Sequence, residues 1–404
     1  MNECVNLYDE TQYQQLRSLV QKGLGTEREE TDEQVRRQIF ETISQSVRNR
    51  YIHVRERVTL GKRIFDSLRR LDILQPFLEE DSVTEIMVNG PEHIYVEQNG
   101  RVVKTEARFD SRQRLEDVIQ QIVGSVNRRV NEFNPIVDAR LTDGSRVNVI
   151  LPPVALNGPI LTIRKFRPQP ITVEEMVEWG TLTAESADFI RKLVEGKYNL
   201  FVCGGTGAGK TTLLNVLSNF IPAGERIITI EDAAELRLSA VENVITLETR
   251  NGGLDGKGMV TIRDLIKTSL RARPDRIIVG EVRGAEALDM LSAMNTGHEG
   301  SLSTGHANSA EDMISRIETM VLMGANLPIE AIRQQIASAL DIFIYISRMR
   351  DGSRKVTEIS QVVGVQNGRV QMEPLFAMTD HGLQRTQAAM FRRKGAFCEE
   401  LSQT

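Results

Sequence analysis

Apolar residues in the first seventy positions recur at helical spacing. Val35, Ile39, Ile43 and Val47 fall every four residues with charged and polar residues between them, which predicts one stripe of an amphipathic helix. Thr31, with Gln34 three residues on, predicts its capped start. From about residue 71 the pattern changes to short runs divided by turn signals. Asn89-Gly90-Pro91 and Asn99-Gly100 bracket Ile94-Tyr95-Val96 and predict a hairpin. A helix is predicted over 115–126, and strands over 146–151 and 160–165, with Pro152-Pro153 and Asn157-Gly158-Pro159 breaking the chain between them. This is the texture of a small α+β domain. Arg167-Pro168-Gln169-Pro170 reads as a linker. Beyond it, strands and helices alternate to about residue 365, as in an α/β domain with a largely parallel sheet, and the last forty residues give no assignable pattern. The predicted organisation is an N-terminal helical segment (1–70), a small α+β domain (71–166), a linker (167–172) and an α/β domain with a C-terminal extension (173–404).

Composition narrows the function classes. The 404-residue chain has 40% apolar and 26% charged residues and a formal net charge of −5, so it has no general attraction for nucleic acid or anionic lipid. Cys4, Cys203 and Cys398 lie far apart, with neither disulfide-framework nor metal-ligand spacing. Cys203 sits in an apolar run and reads as a small core residue. The first residues lack a basic start followed by an apolar stretch, and the densest apolar run, 340–346, contains Asp341. The expectation is a cytoplasmic protein that meets a membrane only through partners.

The strongest chemical signal follows a short apolar strand at 199–203. The stretch Gly204-Gly205-Thr206-Gly207-Ala208-Gly209-Lys210-Thr211 precedes a helical pattern carrying Leu213, Leu214 and Leu217. Strand, glycine-rich loop and helix in that order make a Walker A phosphate-binding loop. Glycines let several backbone N–H groups converge on one anion, and the helix N-terminus adds partial positive charge. Gly205, Thr206, Gly207, Ala208, Gly209, Lys210, Thr211 and Thr212 are therefore the candidate residues for ATP. Lys210 is expected to reach the β- and γ-phosphates, and the Thr211 hydroxyl to hold Mg²⁺.

Hydrolysis further needs acids at the carboxyl ends of neighbouring strands. The runs 226–230 and 276–280 both read as strands, the first ending in Glu231-Asp232 and the second, a Walker B-like strand, in Glu281. His298 and His306 then lie eight residues apart among small polar residues, with no third ligand nearby for zinc. They read as sensors of the γ-phosphate or of the catalytic acid.

The order of these boxes resembles the hexameric type II/type IV secretion ATPases, over roughly residues 71–365. The stretches 139–148, 300–309 and 338–341 resemble the CpaF/TadA branch, the ATPases of tight-adherence pili. The resemblance implies a RecA-like P-loop ATPase domain behind the smaller domain, and a homo-hexamer. It implies a cytoplasmic motor, peripheral at the inner membrane, that powers pilus assembly or retraction or protein secretion through a membrane platform protein. It further implies Glu231 as general base, Glu281 as support for Mg²⁺ and the γ-phosphate, and His306 with His298 as nucleotide sensors. Arg146 and Arg164, and more weakly Arg140, match the arginines that the family's smaller domain brings to the phosphates. Two other classes stay open: a nucleic-acid motor of similar core, which low net charge and 5% aromatic content disfavour, and a nucleotide-gated scaffold that does not hydrolyse.

Overall fold

The computed structural model describes residues 10–24, 31–46, 53–126, 128–141, 143–166, 171–250 and 258–390. They form two compact units, divided between residues 167 and 168. Most of the linker expected over 167–172, like Cys4, Val47, Thr142 and Cys398, lies outside the described residues.

Three helices open the first unit: α1 (Glu10–Gly23), α2 (Asp32–Ser46) and α3 (Val54–Arg69). Thr31 caps α2 reciprocally with Gln34. The Thr31 amide donates to Gln34 Oε1 at 2.7 Å, and the Gln34 amide donates to Thr31 Oγ1 at 3.3 Å. Val35, Ile39 and Ile43 bury against Leu16, Val20 and Ile64. A short α4 (Gln75–Glu79) leads into β1 (Val83–Asn89), β2 (Ile94–Gln98) and β3 (Arg101–Lys104). Then come α5 (Arg112–Ser125), β4 (Ile136–Arg140), β5 (Arg146–Ile150) and β6 (Ile160–Arg164). The strands make one antiparallel sheet in the order β3-β2-β1-β6-β5-β4. Asn99 and Gly100 turn β2 into β3 with φ of 52° and 75°, the left-handed pair that a two-residue hairpin demands. Period-two alternation sets the faces: Ile86, Val88, Val147, Val149, Leu161 and Ile163 bury against Leu115, Val118 and Ile122 of α5.

The second unit begins with α6 (Val173–Glu178) and α7 (Ala184–Glu195), followed by β7 (Leu200–Gly204), α8 (Lys210–Ser218), β8 (Arg226–Glu231) and β9 (Asn243–Glu248). Next are α9 (Ile262–Ser269), β10 (Arg276–Val279), α10 (Glu286–Met294), β11 (Leu302–His306), α11 (Ala310–Gly324), α12 (Ile329–Ala339) and β12 (Ile342–Arg348). β13 (Arg354–Gln366), β14 (Arg369–Thr379) and β15 (Gly382–Arg385) end it. The nine strands run in the order β15-β14-β13-β12-β7-β11-β10-β8-β9. From β12 to β9 every pairing is parallel. Of these, β7, β8, β10 and β12 are covered on both faces and so read as near-continuous apolar runs. Leu200 and Val202 join Leu193, Leu213 and Leu217 on one face, while Phe201 and Cys203 join Met290, Ile317 and Ile336 on the other.

The expected alternation to residue 365 is corrected here. β12 is the last parallel strand, and residues 354–385 form an antiparallel meander. Asn367 and Gly368, at φ 51° and 71°, make the tight turn between β13 and β14.

At the amino ends of the parallel strands a buried ion pair ties the layers together. The Arg276 side chain is fully buried. Its Nε and Nη2 donate to Glu225 at 2.6 and 2.9 Å, and Nη1 donates to the Val194 carbonyl at 2.6 Å. A Cβ at Gly300 would lie 2.5 Å from Arg276 Nη1, so the chain passes this guanidinium only as glycine. Beside it Asn199 accepts from the Ser301 amide at 3.0 Å and donates to the Ala339 carbonyl at 2.6 Å, and Asp341 accepts from the Asn199 amide at 2.8 Å. Removing one partner of a buried pair strands the other charge. Glu225→Ala is therefore expected to cost about 3–5 kcal/mol of unfolding free energy, read as a lowered urea midpoint at unchanged m-value.

Candidate functional site

The carboxyl ends of the parallel strands carry the candidate site. β7 enters its glycine-rich loop through Gly204, where a Cβ would sit 2.1 Å from the Ile346 carbonyl oxygen of β12. No side chain fits that approach. The loop leaves through Gly209, at φ 96°, which caps α8 without a side chain. Arg354, at the start of β13, lies across the loop and donates Nε to the Gly207 carbonyl at 3.0 Å. Gly205, Thr206 and Gly207 are exposed and Ala208 is buried in the core. Lys210 is buried in the first turn of α8, followed by half-buried Thr211 and Thr212.

Lys210 links the loop to the neighbouring strand ends. Its Nζ donates to the Gly205 carbonyl at 2.9 Å and lies 3.2 Å from His306 Nδ1, at the end of β11. His306 Nε2 lies 2.8 Å from Glu281 Oε1, beyond the end of β10. Glu281 Oε2 in turn accepts from Arg283 Nη2 at 2.7 Å. Strand order explains the arrangement: β11 is one strand from the loop and β10 two. Thr304 secures the exit of β10 by donating to the Gly280 carbonyl at 2.7 Å.

Glu231, at the end of β8, is three strands from the loop strand, about 14 Å at the usual strand spacing. It is 3% exposed and lies over Gly280, where a Cβ would come within 2.7 Å of its Cγ. Its carboxylate accepts from the Glu235 and Leu236 amides at 3.0 and 3.2 Å. Glu231 is thus beside the residue preceding Glu281, with its carboxylate turned towards its own following loop.

His298 is not brought to this edge. It precedes β11, at the amino end of the strand whose carboxyl end carries His306, and its Nδ1 lies 3.1 Å from the Ala293 carbonyl. The expectation that both histidines sense one site is corrected for this chain by the direction of β11.

The three arginines belong to the first unit, where register aligns them. Arg140 pairs across from Arg146, and Arg146 from Arg164. Glu85 and Glu97 continue the same row. Direct cross-strand neighbours share a face, so three arginines stand side by side on the face opposite α5. Like charges opposite one another destabilise a sheet.

Residues 68–399 match the family model described as type II/IV secretion system protein. The chain belongs to that family. It is 35% identical over 324 residues to a putative conjugal transfer protein of Mycobacterium tuberculosis, covering 79% of this chain and 91% of that protein. It is 32% identical over 324 residues to the conjugal transfer protein TrbB of Rhizobium radiobacter, covering 79% and 95%. Among solved structures, that of the pilus retraction motor PilT with bound ADP is 20% identical, covers 83% of this chain and 88% of its own, and superposes with a TM-score of 0.52. That likeness is one of fold, the α/β architecture of RecA-like ATPase domains.

In this secretion-family chain the site's protonation follows from its contacts. Lys210 Nζ lies 3.2 Å from His306 Nδ1 and 3.5 Å from Nε2, so its ammonium faces the imidazole and opposes a second positive charge there. Burial pushes the His306 imidazole below its ordinary range. The nearby Lys210, Arg283 and Arg316 act the same way, against the opposing pull of Glu281. Burial works against ionisation of Glu281, but the hydrogen bond and charge of Arg283, with His306 and Lys210, hold its carboxyl below the usual range. The arrangement is a buried ammonium, a neutral imidazole and a carboxylate in sequence, suited to registering charge placed on the loop.

Sequence reasoning missed Arg283 and Arg354. Arg283 had a readable signal, two residues after a strand-end acid. Arg354 had none, lying 147 residues beyond the loop carbonyl it binds. Nitrogen-detected NMR of labelled histidine should find His306 neutral at pH 7, titrating below about 6.5. Titration above that value would break the assigned electrostatics.

Proposed function

We propose that this chain is an ATP-hydrolysing motor subunit of the CpaF/TadA branch. It works as a homo-hexamer at the cytoplasmic face of the inner membrane, powering pilus assembly or retraction or protein secretion through a membrane platform protein. The observation that carries this reading is the Lys210–His306–Glu281 series at the mouth of the glycine-rich loop. The stretches 139–148, 300–309 and 338–341 support the branch. The bound ADP and retraction-motor role of PilT, and the conjugal transfer role in the names of the two relatives, fit a nucleotide-driven transfer machine. The division into 1–70, 71–166, a 167–172 linker and 173–404 is part of the proposal. Among the described residues no helix is long and apolar enough to cross a membrane, which suits contact with a membrane through partners.

Residues 205–212 bind the nucleotide: loop amides and Lys210 hold its phosphates. Thr211 and Glu281 would hold Mg²⁺, a hard cation suited to hydroxyl and carboxylate oxygen. When bound, the ion neutralises charge developing on the transferred phosphoryl group. Glu231, oriented by two backbone amides, is the general base for the attacking water. His306 reports the state of the loop to Glu281. The arginine row of Arg140, Arg146 and Arg164 recognises phosphate.

Phosphate release from the purified protein tests this directly. Lys210→Ala should abolish turnover and weaken ATP binding; turnover at the wild-type rate would end the motor reading. Glu231→Gln should bind ATP normally but hydrolyse it on the order of 10²–10⁴ times more slowly, and an undiminished rate would remove Glu231 from the base role. Arg146→Ala should retain nucleotide binding while losing at least about ten-fold in turnover. Acceleration by added DNA or RNA would favour the nucleic-acid motor instead, and binding without any phosphate release would favour the scaffold.

A further inference from the structure

Glu281 is held from two sides by contacts of different kinds. From within, His306 Nε2 stands 2.8 Å from Oε1, and His306 is itself held by Lys210. From without, Arg283 Nη2 donates to Oε2 at 2.7 Å, through a side chain that is 63% exposed. The Glu281 side chain is only 19% exposed. Arg283 has a second acid within electrostatic reach, Asp232 at the end of β8. Its backbone is fixed independently, because the Arg283 and Gly284 amides donate to Glu286 at 2.7 and 2.8 Å. The guanidinium is therefore the movable part of an anchored turn. An ion pair with one exposed partner is weak and easily broken, whereas the imidazole contact belongs to the interior.

We propose that Arg283 is a positioning residue that competes with Mg²⁺ for the Glu281 carboxylate: its guanidinium holds Oε2 as a stand-in cation, while the buried Oε1 has no hydrogen-bond partner among the described residues and is the oxygen left for a metal. This rests on the nucleotide-site reading above. The physical reason is that a monocation and a dication on the two oxygens of one partly covered carboxylate repel each other. Arg283 thereby fixes the orientation of the Glu281 carboxylate and tunes the Mg²⁺ requirement of the site.

The test uses the full chain and a non-hydrolysable fluorescent ATP analogue, and measures its Kd in Mg²⁺ and in EDTA. The readout is the ratio of the EDTA value to the Mg²⁺ value, which a general loosening of structure would leave unmoved. Removing the competing charge in Arg283→Gln should raise that ratio about five-fold. Arg283→Lys, which keeps a cation at the position, should stay near wild type. An unchanged or lowered ratio in Arg283→Gln, or equal ratios in the Gln and Lys variants, overturns the proposal while leaving the nucleotide site intact. Wild-type protein that binds the analogue under neither condition overturns the nucleotide reading and this inference with it.

Discussion

Parallel hydrogen bonding between β12, β7, β11, β10 and β8 is the constraint on which the rest of the second unit depends. It sends every carboxyl end to one edge of the sheet. Lys210, Glu281 and His306, spread over 96 positions of the chain, meet there because Lys210 opens the helix after β7, Glu281 lies just beyond β10 and His306 ends β11. The same constraint excludes His298. Its distance from His306 in sequence is small, but the length of β11 lies between them. Nearness along a chain and nearness in a parallel sheet are different quantities, and the histidine box separates them.

The opposite edge does different work. There Arg276, Asn199 and Asp341 are buried and Glu225 half-buried, and each has a hydrogen-bonding partner. The two edges show two uses of charge. Covered ions with complete partners set the register of the layers, while at the carboxyl edge Lys210, Glu281 and Arg283 are joined by contacts that rearrangement can exchange. A rigid floor under an adjustable mouth allows the loop to respond without the sheet yielding.

Much of this was legible beforehand, for identifiable reasons. The loop, the strands before it and after it, and the acids at strand ends follow from local pattern and from a sequence order that depends on few residues. The α2 stripe and its Thr31 cap followed from helical periodicity, and Asn99-Gly100 from turn chemistry. The meander at 354–385 was missed although Asp351-Gly352 and Asn367-Gly368 carry the same kind of turn signal, because its strands mix polar and apolar residues on half-covered faces. The arginines were named individually, but that they stand in one row with Glu85 and Glu97 is a statement of register, which needs strand partners. The orientation of the Glu231 carboxylate depends on the backbone of Glu235 and Leu236 and could not be read from residue types. Arg354 had no local signature at all.

That last contact bears on how the protein is made. Only glycine fits at position 204 against the Ile346 carbonyl, and Gly207 is tied to a side chain 147 positions later. Closing so long a segment is entropically slow. During synthesis the glycine-rich segment leaves the ribosome well before the strands that flank and brace it. Nucleotide therefore meets a finished cradle only after Arg354 has emerged, and nascent chains stopped before it lack the brace that shapes the loop.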